Sequence, residues 1–386
     1  MHIVSLIAAI VVIYMVLLDA FETVVLPRRV QRHFRPSIWF YRRTWKPWRA
    51  VASRIKSQTR REALLGYFGP LSLILLLGFW AAGLIFSFAL LQYAAGEHVQ
   101  ISGEPITFGR LIYHSGETFF TLGYGDITPA SATARLLSVL EAGMGFAFLG
   151  VVIGYLPTIY SSFSRREIEI SLLDARAGSP PTAAELLARF GKNPKQAVLD
   201  QIFRDWERWA AQVLESHISY PSLGFFRSQH SNQSWLGALT TILDASALVI
   251  AGIEGVLKDQ AKLTFAMARH AVVDLAQGAN AWYDPADPDR LSREDISNLR
   301  QVLAERGLKL HDGEEFDAKL TQLRTMYEPY VQGIARNLLI TLPPWIRSEK
   351  KRDNWEAGPW DRAIQARSLA GPGYRGRGTQ RIEDHF

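Results

Sequence analysis

Residues 121–126, Thr-Leu-Gly-Tyr-Gly-Asp, are the part of this chain whose residue types and spacing carry chemistry. Two glycines flank one bulky side chain, and glycine enters the left-handed region of backbone space at no steric cost. A stretch with that freedom can turn successive carbonyls to one side, whereas a strand alternates its side chains and carbonyls between two. Thr121 adds a hydroxyl oxygen at one end of the resulting ladder. The chemistry on offer is ligation by backbone oxygen. The same hexapeptide also suits a turn of a soluble loop, since Gly-Tyr-Gly and Gly-Asp are common turn sequences, so the flanking elements must decide. The remainder of the chain shows no catalytic centre. Cysteine is absent, which excludes disulfides and thiolate-ligated metals. His217, His230, His270 and His311 are scattered without metal-ligand spacing. No catalytic residue and no cofactor are assigned, and the chain reads as a non-enzyme.

The elements that would position the hexapeptide are apolar runs. Hydrophobic residues make up 48% of the chain, and nearly all the long runs fall before residue 160. Residues 3–26 hold enough of them to cross a hydrocarbon core, which needs about 20. A signal peptide is the other reading of this run. It is disfavoured because no Lys or Arg precedes the run and no small-x-small cleavage site precedes Pro27. Asp19 and Glu22 near its end are either functional carboxylates or interfacial partners of Arg28 and Arg29. Residues 27–67 carry twelve Lys or Arg against the single acid Glu62, which places this short loop on the cytoplasmic side. Within it Arg42, Arg43, Lys46 and Arg49 interleave with Trp45 and Trp48, the pattern of a segment lying among lipid headgroups, with anionic lipid as the implied partner. Residues 68–94 form a second span and 136–160 a third, ending at the basic Ser164-Arg165-Arg166. Between them, residues 105–120 are helical but too short and too polar to span, as a re-entrant helix would be. All flanking charges agree on one topology: N-terminus outside, hexapeptide facing out, C-terminus cytoplasmic. The net charge of +6 is explained by this topology before nucleic acid is invoked.

Residues 68 to about 160, with Thr121-Leu122-Gly123-Tyr124-Gly125-Asp126 between two spans, resemble potassium channels. In that family four copies of a T-V-G-Y-G loop aim backbone carbonyls at a central axis and replace the water shell of a dehydrated ion. The resemblance implies K+ bound at Thr121, Leu122, Gly123 and Tyr124, with Gly125 completing the filter. It implies a homotetramer, since each chain brings one filter. It places Glu117 on the acid that many prokaryotic members set behind the filter and Asp126 on the filter's terminal aspartate. Two such carboxyl groups would share a proton; a plain polar role of Glu117 in a wet vestibule is the alternative. Gly145 falls on the inner-helix hinge, although close helix packing also uses small residues. Pro157 below it should kink the helix. Leu122 stands in place of the usual valine and Phe120 where many members have threonine. The additional first span lacks arginine at every third position, so no voltage sensor is expected.

Residues 165–345 read as a cytoplasmic helical domain, with helices over about 182–214, 234–258, 261–283, 292–306 and 314–342. Ser292 with Asp295 is a start signal of capping-box type and Gly307 a stop. The run 235–257 is apolar enough to be a fourth span, but Asp244 and Glu254 within it favour a buried bundle helix. The nucleotide-binding module that potassium channels often carry here is not expected, because no G-x-G-x-x-G follows a strand-like run. The ligand of this domain is not legible. Residues 346–386 read as a flexible basic tail, with nucleic acid as its lesser reading. The expectation is an all-α membrane protein with three transmembrane helices, a re-entrant pore helix and a cytoplasmic helical domain. It would act as a potassium channel of the cell membrane, gated by that domain and not by voltage. A weakly selective cation channel and a non-conducting membrane-anchored sensor are the competitors.

Overall fold

The computed structural model describes residues 2–26, 34–96, 99–101, 107–190, 196–230, 232–254, 256, 258–347, 353, 355, 356, 358, 360 and 361. The chain divides into two compact units, one of residues 1–52 with 67–161 and one of residues 53–66 with 162–386. Most of the tail, and Arg28 and Arg29, lie outside the described residues.

The first unit contains α1 (His2–Val24), α2 (Pro36–Ser53), most of α3 (Gln58–Ala94), α4 (Phe108–Phe119) and the first part of α5 (Ala132–Ala177). Between them lies a two-stranded antiparallel ribbon, β1 (Val99–Ile101) with β2 (Ile127–Pro129). Among the described residues, four helices are long and apolar enough to cross a membrane: α1, α3, α5 and one helix of the second unit. Both α3 and α5 extend well beyond the apolar runs at 68–94 and 136–160. Hydropathy marks the part of a helix that suits lipid, and the backbone ladder continues through polar turns such as Arg60–Leu65. Val16 of α1, Phe40 of α2, Leu76, Trp80 and Leu84 of α3 and Phe119 of α4 form the core, with Met144 and Phe148 of α5 packed on it.

Asp19 ties three of these helices together. It is fully buried and accepts hydrogen bonds from the backbone N–H of Ser37 at 2.9 Å, the Ser37 hydroxyl at 2.8 Å and the Trp80 indole at 2.9 Å. It thereby caps the first turn of α2, where backbone N–H groups lack helical partners and favour a carboxylate. Arg35 completes the cluster, with Nε 3.7 Å from Asp19 and 3.4 Å from Glu22, and its Nη2 donates to Thr23 at 2.9 Å. The partner of the two α1 carboxylates among the described residues is thus Arg35.

The second unit is a helical bundle of α6 (Ala183–Ala188), α7 (Gln196–Ser219), α8 (Trp235–Gly252), α9 (Asp259–Gly278), α10 (Arg293–Glu305), α11 (Glu314–Thr325) and α12 (Glu328–Leu338), with a short 3-10 turn at Pro221–Phe225. Every residue of α8 is buried, which answers whether this apolar run sits inside protein. Asp244, its one acid, is satisfied by a bidentate contact with Arg290 (2.7 and 3.3 Å) and by the Tyr327 hydroxyl at 2.5 Å. The capping box of Ser292 and Asp295 is present, and Gly307 has φ 85° just past the end of α10, as a stop glycine does. Two expected helices are broken. Residues 182–214 divide into α6 and α7, and 314–342 into α11 and α12. Proline is the cause in the second case: Pro329 sits in the first turn of α12, where its missing N–H costs nothing. In the first, α6 ends at Ala188 and α7 begins at Gln196.

His217 of α7 is buried, and its Nδ1–H donates to the Val213 carbonyl at 2.9 Å while Nε2 accepts from Arg166 Nη1 at 3.2 Å. Burial, and secondarily the Arg166 charge, push it down to about 3, so the ring stays neutral while the unfolded chain takes up a proton near pH 6.5. Its contribution is complete above pH 6.5 and is lost as pH falls from there toward 3, by about 2 kcal/mol at pH 5.

Two outcomes are expected. Asp19→Ala leaves the Trp80 indole and the α2 amides unpaired in a buried site and should lower stability by about 2–4 kcal/mol, read as thermal unfolding of the full chain in detergent. His217→Gln removes the titration. Protection of the α7 amides, with their intrinsic exchange rates divided out, should then lose most of its fall between pH 6.5 and 5, and an unchanged pH profile would contradict the assignment.

Candidate functional site

The hexapeptide begins where α4 ends. The last turn of α4 hands over through three backbone bonds: Phe120 N to Gly116 O (3.0 Å), Thr121 N to Thr118 O (3.0 Å) and Leu122 N to Glu117 O (2.8 Å). Beyond it the backbone alternates. Thr121 has φ 55°, Gly123 φ 64° and Gly125 φ 81°, while Leu122 and Tyr124 keep negative φ. Left-handed residues at every second position turn successive peptide planes to the same side. The glycines accept this freely, whereas β-branched Thr121 adopts a conformation that costs about 1–2 kcal/mol. Residues 122–125 have no regular secondary structure, and Leu122 and Tyr124 are 55% and 69% exposed in the single chain. The far end is pinned by Ile127, which pairs with Ile101 across the ribbon and packs with Ala89, Val99 and Leu111. The stretch is therefore strung between a helix end and a strand. Nothing in the periodicity of these three-residue strands announced the ribbon.

Behind the stretch lies a buried polar cluster. Glu117 Oε1 is 3.1 Å from His114 Nδ1, and His114 Nε2 is 3.5 Å from the Ser138 hydroxyl of α5. One residue along, Ser115 donates to the Ile85 carbonyl at 2.7 Å and meets Glu141 Oε1 of α5. Asp126 is exposed, on the same side as Tyr113, which feels its charge. Glu117 and Asp126 are thus not paired in the single chain: the carboxylate of Glu117 turns inward to His114, three residues earlier on the same helix face. His114, Ser115 and Glu141 were not singled out in the sequence. The i,i+3 spacing of His114 and Glu117 was the available signal.

Gly145 of α5 faces the end of α4. A Cβ built there would lie 1.8 Å from the Phe119 carbonyl oxygen, whereas Gly143, Gly150 and Gly154 of the same helix have open space. Close approach to backbone accounts for the glycine, and the inner helix leans on the element that launches the hexapeptide. Helix α5 continues through Pro157 to Ala177, without the ladder bond that proline cannot make.

Helix α2 sorts its side chains. Phe40 and Trp45 are buried, with the Trp45 ring edge-on to Phe68 at 4.8 Å and the Trp48 ring tilted against it at 5.7 Å. Arg42, Arg43 and Lys46 are exposed and Arg49 is half-buried. The two tryptophans expected to face lipid instead anchor α2 to α3; the basic side chains form the free face.

Gly145→Ala should drive Cβ into the Phe119 carbonyl and lower the stability of the full chain in detergent by about 1–3 kcal/mol, read as thermal unfolding. Gly150→Ala, which meets open space, should change it by less than about 0.5 kcal/mol, and equal effects of the two would remove the special role of Gly145.

With this geometry in view, residues 73–161 match a protein family described as "Ion channel". The chain is also similar to the "Uncharacterized membrane protein YdjJ" of Bacillus subtilis (strain 168), 25% identical over 242 residues, or 62% of this chain and 69% of that one. No solved structure matches. The helices, the ribbon and the alternating backbone of residues 121–125 all fall in or around the matched segment, and residues 73–161 carry an ion channel family domain.

Proposed function

We propose that the protein is a potassium-selective channel of the cell membrane, passing K+ passively through a homotetrameric pore. The observation that carries this reading is the alternating backbone of Thr121, Gly123 and Gly125, inside a segment that matches the ion channel family. Carbonyls of Thr121, Leu122, Gly123 and Tyr124, from four chains around one axis, would replace the water shell of K+. Gly125 and Asp126 close the outer mouth, and Glu117, held by His114, braces the filter from behind. The C-terminal end of α4 directs the negative end of its dipole toward the same axis, which favours a cation.

The exposure of Leu122 and Tyr124, and of Leu136, Val139, Phe146, Leu149 and Ile153 on α5, supports assembly. These side chains need other copies around them, and cyclic symmetry is the economical way to supply them. Helix α1 contains no Lys or Arg, which argues against voltage sensing. Gating then falls to α5. Splay about Gly145 and Pro157 would widen the inner mouth, and the contact of Gly145 with Phe119 would carry the movement to the filter. A ligand that binds two arrangements of the cytoplasmic domain unequally biases that equilibrium. The exposed Arg42, Arg43 and Lys46 of α2 suit anionic headgroups on the cytoplasmic face, in a topology with the N-terminus outside and the C-terminus inside.

The test is recording from purified protein in planar bilayers with K+ on one side and Na+ on the other. The current should reverse close to the K+ equilibrium potential. Reversal near zero would replace potassium selectivity by general cation conduction, and the absence of current from assembled tetramers would reject a pore.

A further inference from the structure

Within the second unit, the start of α3 and the end of α12 line a cavity of about 380 Å3, a size usual for small-molecule sites. Its charged lining is Arg61, Asp287, Arg290 and Arg336. Two of the three guanidinium groups are taken up within the chain. Arg290 gives Nη2 to Asp244 at 2.7 Å and to the Pro343 carbonyl at 2.9 Å. Arg336 is bound to Asp287 Oδ1 and donates to the Trp282 carbonyl at 2.5 Å. Arg61 is different. Its Nε is buried without an acceptor, and among the described residues its guanidinium forms no hydrogen bond or ion pair. It lies near the like charge of Arg227 and the opposite charge of Glu62; Glu62 is itself 3.8 Å from Arg227 Nε, and Arg227 Nη2 is bound to the Leu338 carbonyl.

A buried guanidinium N–H without an acceptor is costly, and the cost is removed by an acceptor with negative charge. The cavity contains a second incomplete group of the opposite kind: Asp287 Oδ2 is buried and has no donor. A ligand that satisfies both brings an oxyanion and a hydroxyl. The rest of the lining, with Ala335, Leu339 and Ile340, is apolar and suits a compact hydrocarbon body. We infer that this cavity binds a small organic oxyanion, a phosphate ester or hydroxy-carboxylate. Its charged head meets Arg61, its hydroxyl meets Asp287, and its apolar part lies on Ala335 and Leu339. The inference goes beyond the reading of the pore, since it concerns binding to the second unit and holds whether or not the pore conducts.

The experiment is calorimetric titration of the full-length protein in detergent with phenyl phosphate, with mandelate and with inorganic phosphate, followed by titration in nanodiscs with and without phosphatidic acid. Saturable binding of phenyl phosphate or mandelate is expected, tighter than inorganic phosphate and weakened about tenfold or more by Arg61→Gln. Thr341→Trp supplies a second variant: Thr341 lines the cavity and is exposed, so the indole should block entry without disturbing the bundle. Arg61-dependent binding confined to phosphatidic acid nanodiscs would identify the oxyanion as a lipid headgroup and support the same site. No saturable binding of any probe, or binding that neither variant weakens, would overturn the inference.

Discussion

In a hydrocarbon layer no water is at hand to satisfy a backbone carbonyl, and that constraint governs the first unit of this protein. Helices α1, α3 and α5 meet it by bonding within themselves. Residues 122–125 do not, because left-handed positions recur at every second residue around them and no regular ladder forms. Such a segment is tolerable at membrane depth only inside protein or beside water. The surrounding architecture serves that requirement. Helix α4 delivers the chain, the ribbon receives it, and α5 presses a side-chain-free position against the Phe119 carbonyl. The buried His114, Glu117, Ser115 and Glu141 supply polar support where an apolar backing would leave nothing to bond.

The second unit solves a different problem with similar means. Helix α8 is as apolar as a membrane span yet enclosed by protein along its whole length, so its single acid has to be neutralised in place. The Arg290 fork and the Tyr327 hydroxyl do this, and Arg324 and Glu328 extend the charge chain from α11 to α12. Burial raises Glu328, while the neighbouring arginines oppose that shift. Breaking such a network at one member leaves a buried charge uncompensated, which costs more than the network contributes.

What the sequence disclosed follows from how local each signal is. Apolar runs, the glycines of the hexapeptide, the Ser292 and Asp295 pair and the Gly307 stop act over a few residues, and each was legible. The helix break at Pro329 was equally local, and long apolar periodicity masked it. The features that were not legible depend on distant partners. The ribbon joins Ile101 to Ile127 across an intervening helix. The orientation of Glu117 toward His114 depends on which side of α4 becomes buried. The inward turn of Trp45 depends on Phe68, in another helix. The described residues place Glu117 and Asp126 apart in one chain, and the resemblance on which their pairing rested speaks only of residue types at matching positions.

The Asp19 cluster has a consequence for biosynthesis. Its carboxylate lies in α1, but Ser37 follows it by 18 residues and Trp80 by 61. Until those partners are made, α1 presents a buried-type acid with nothing to bond, so its passage into the bilayer alone is penalised. The hairpin of α1 with α3, bridged by α2, is the smallest piece that removes the penalty. A satisfied Asp19 in α1 therefore requires α2 and α3, which follow it in the chain.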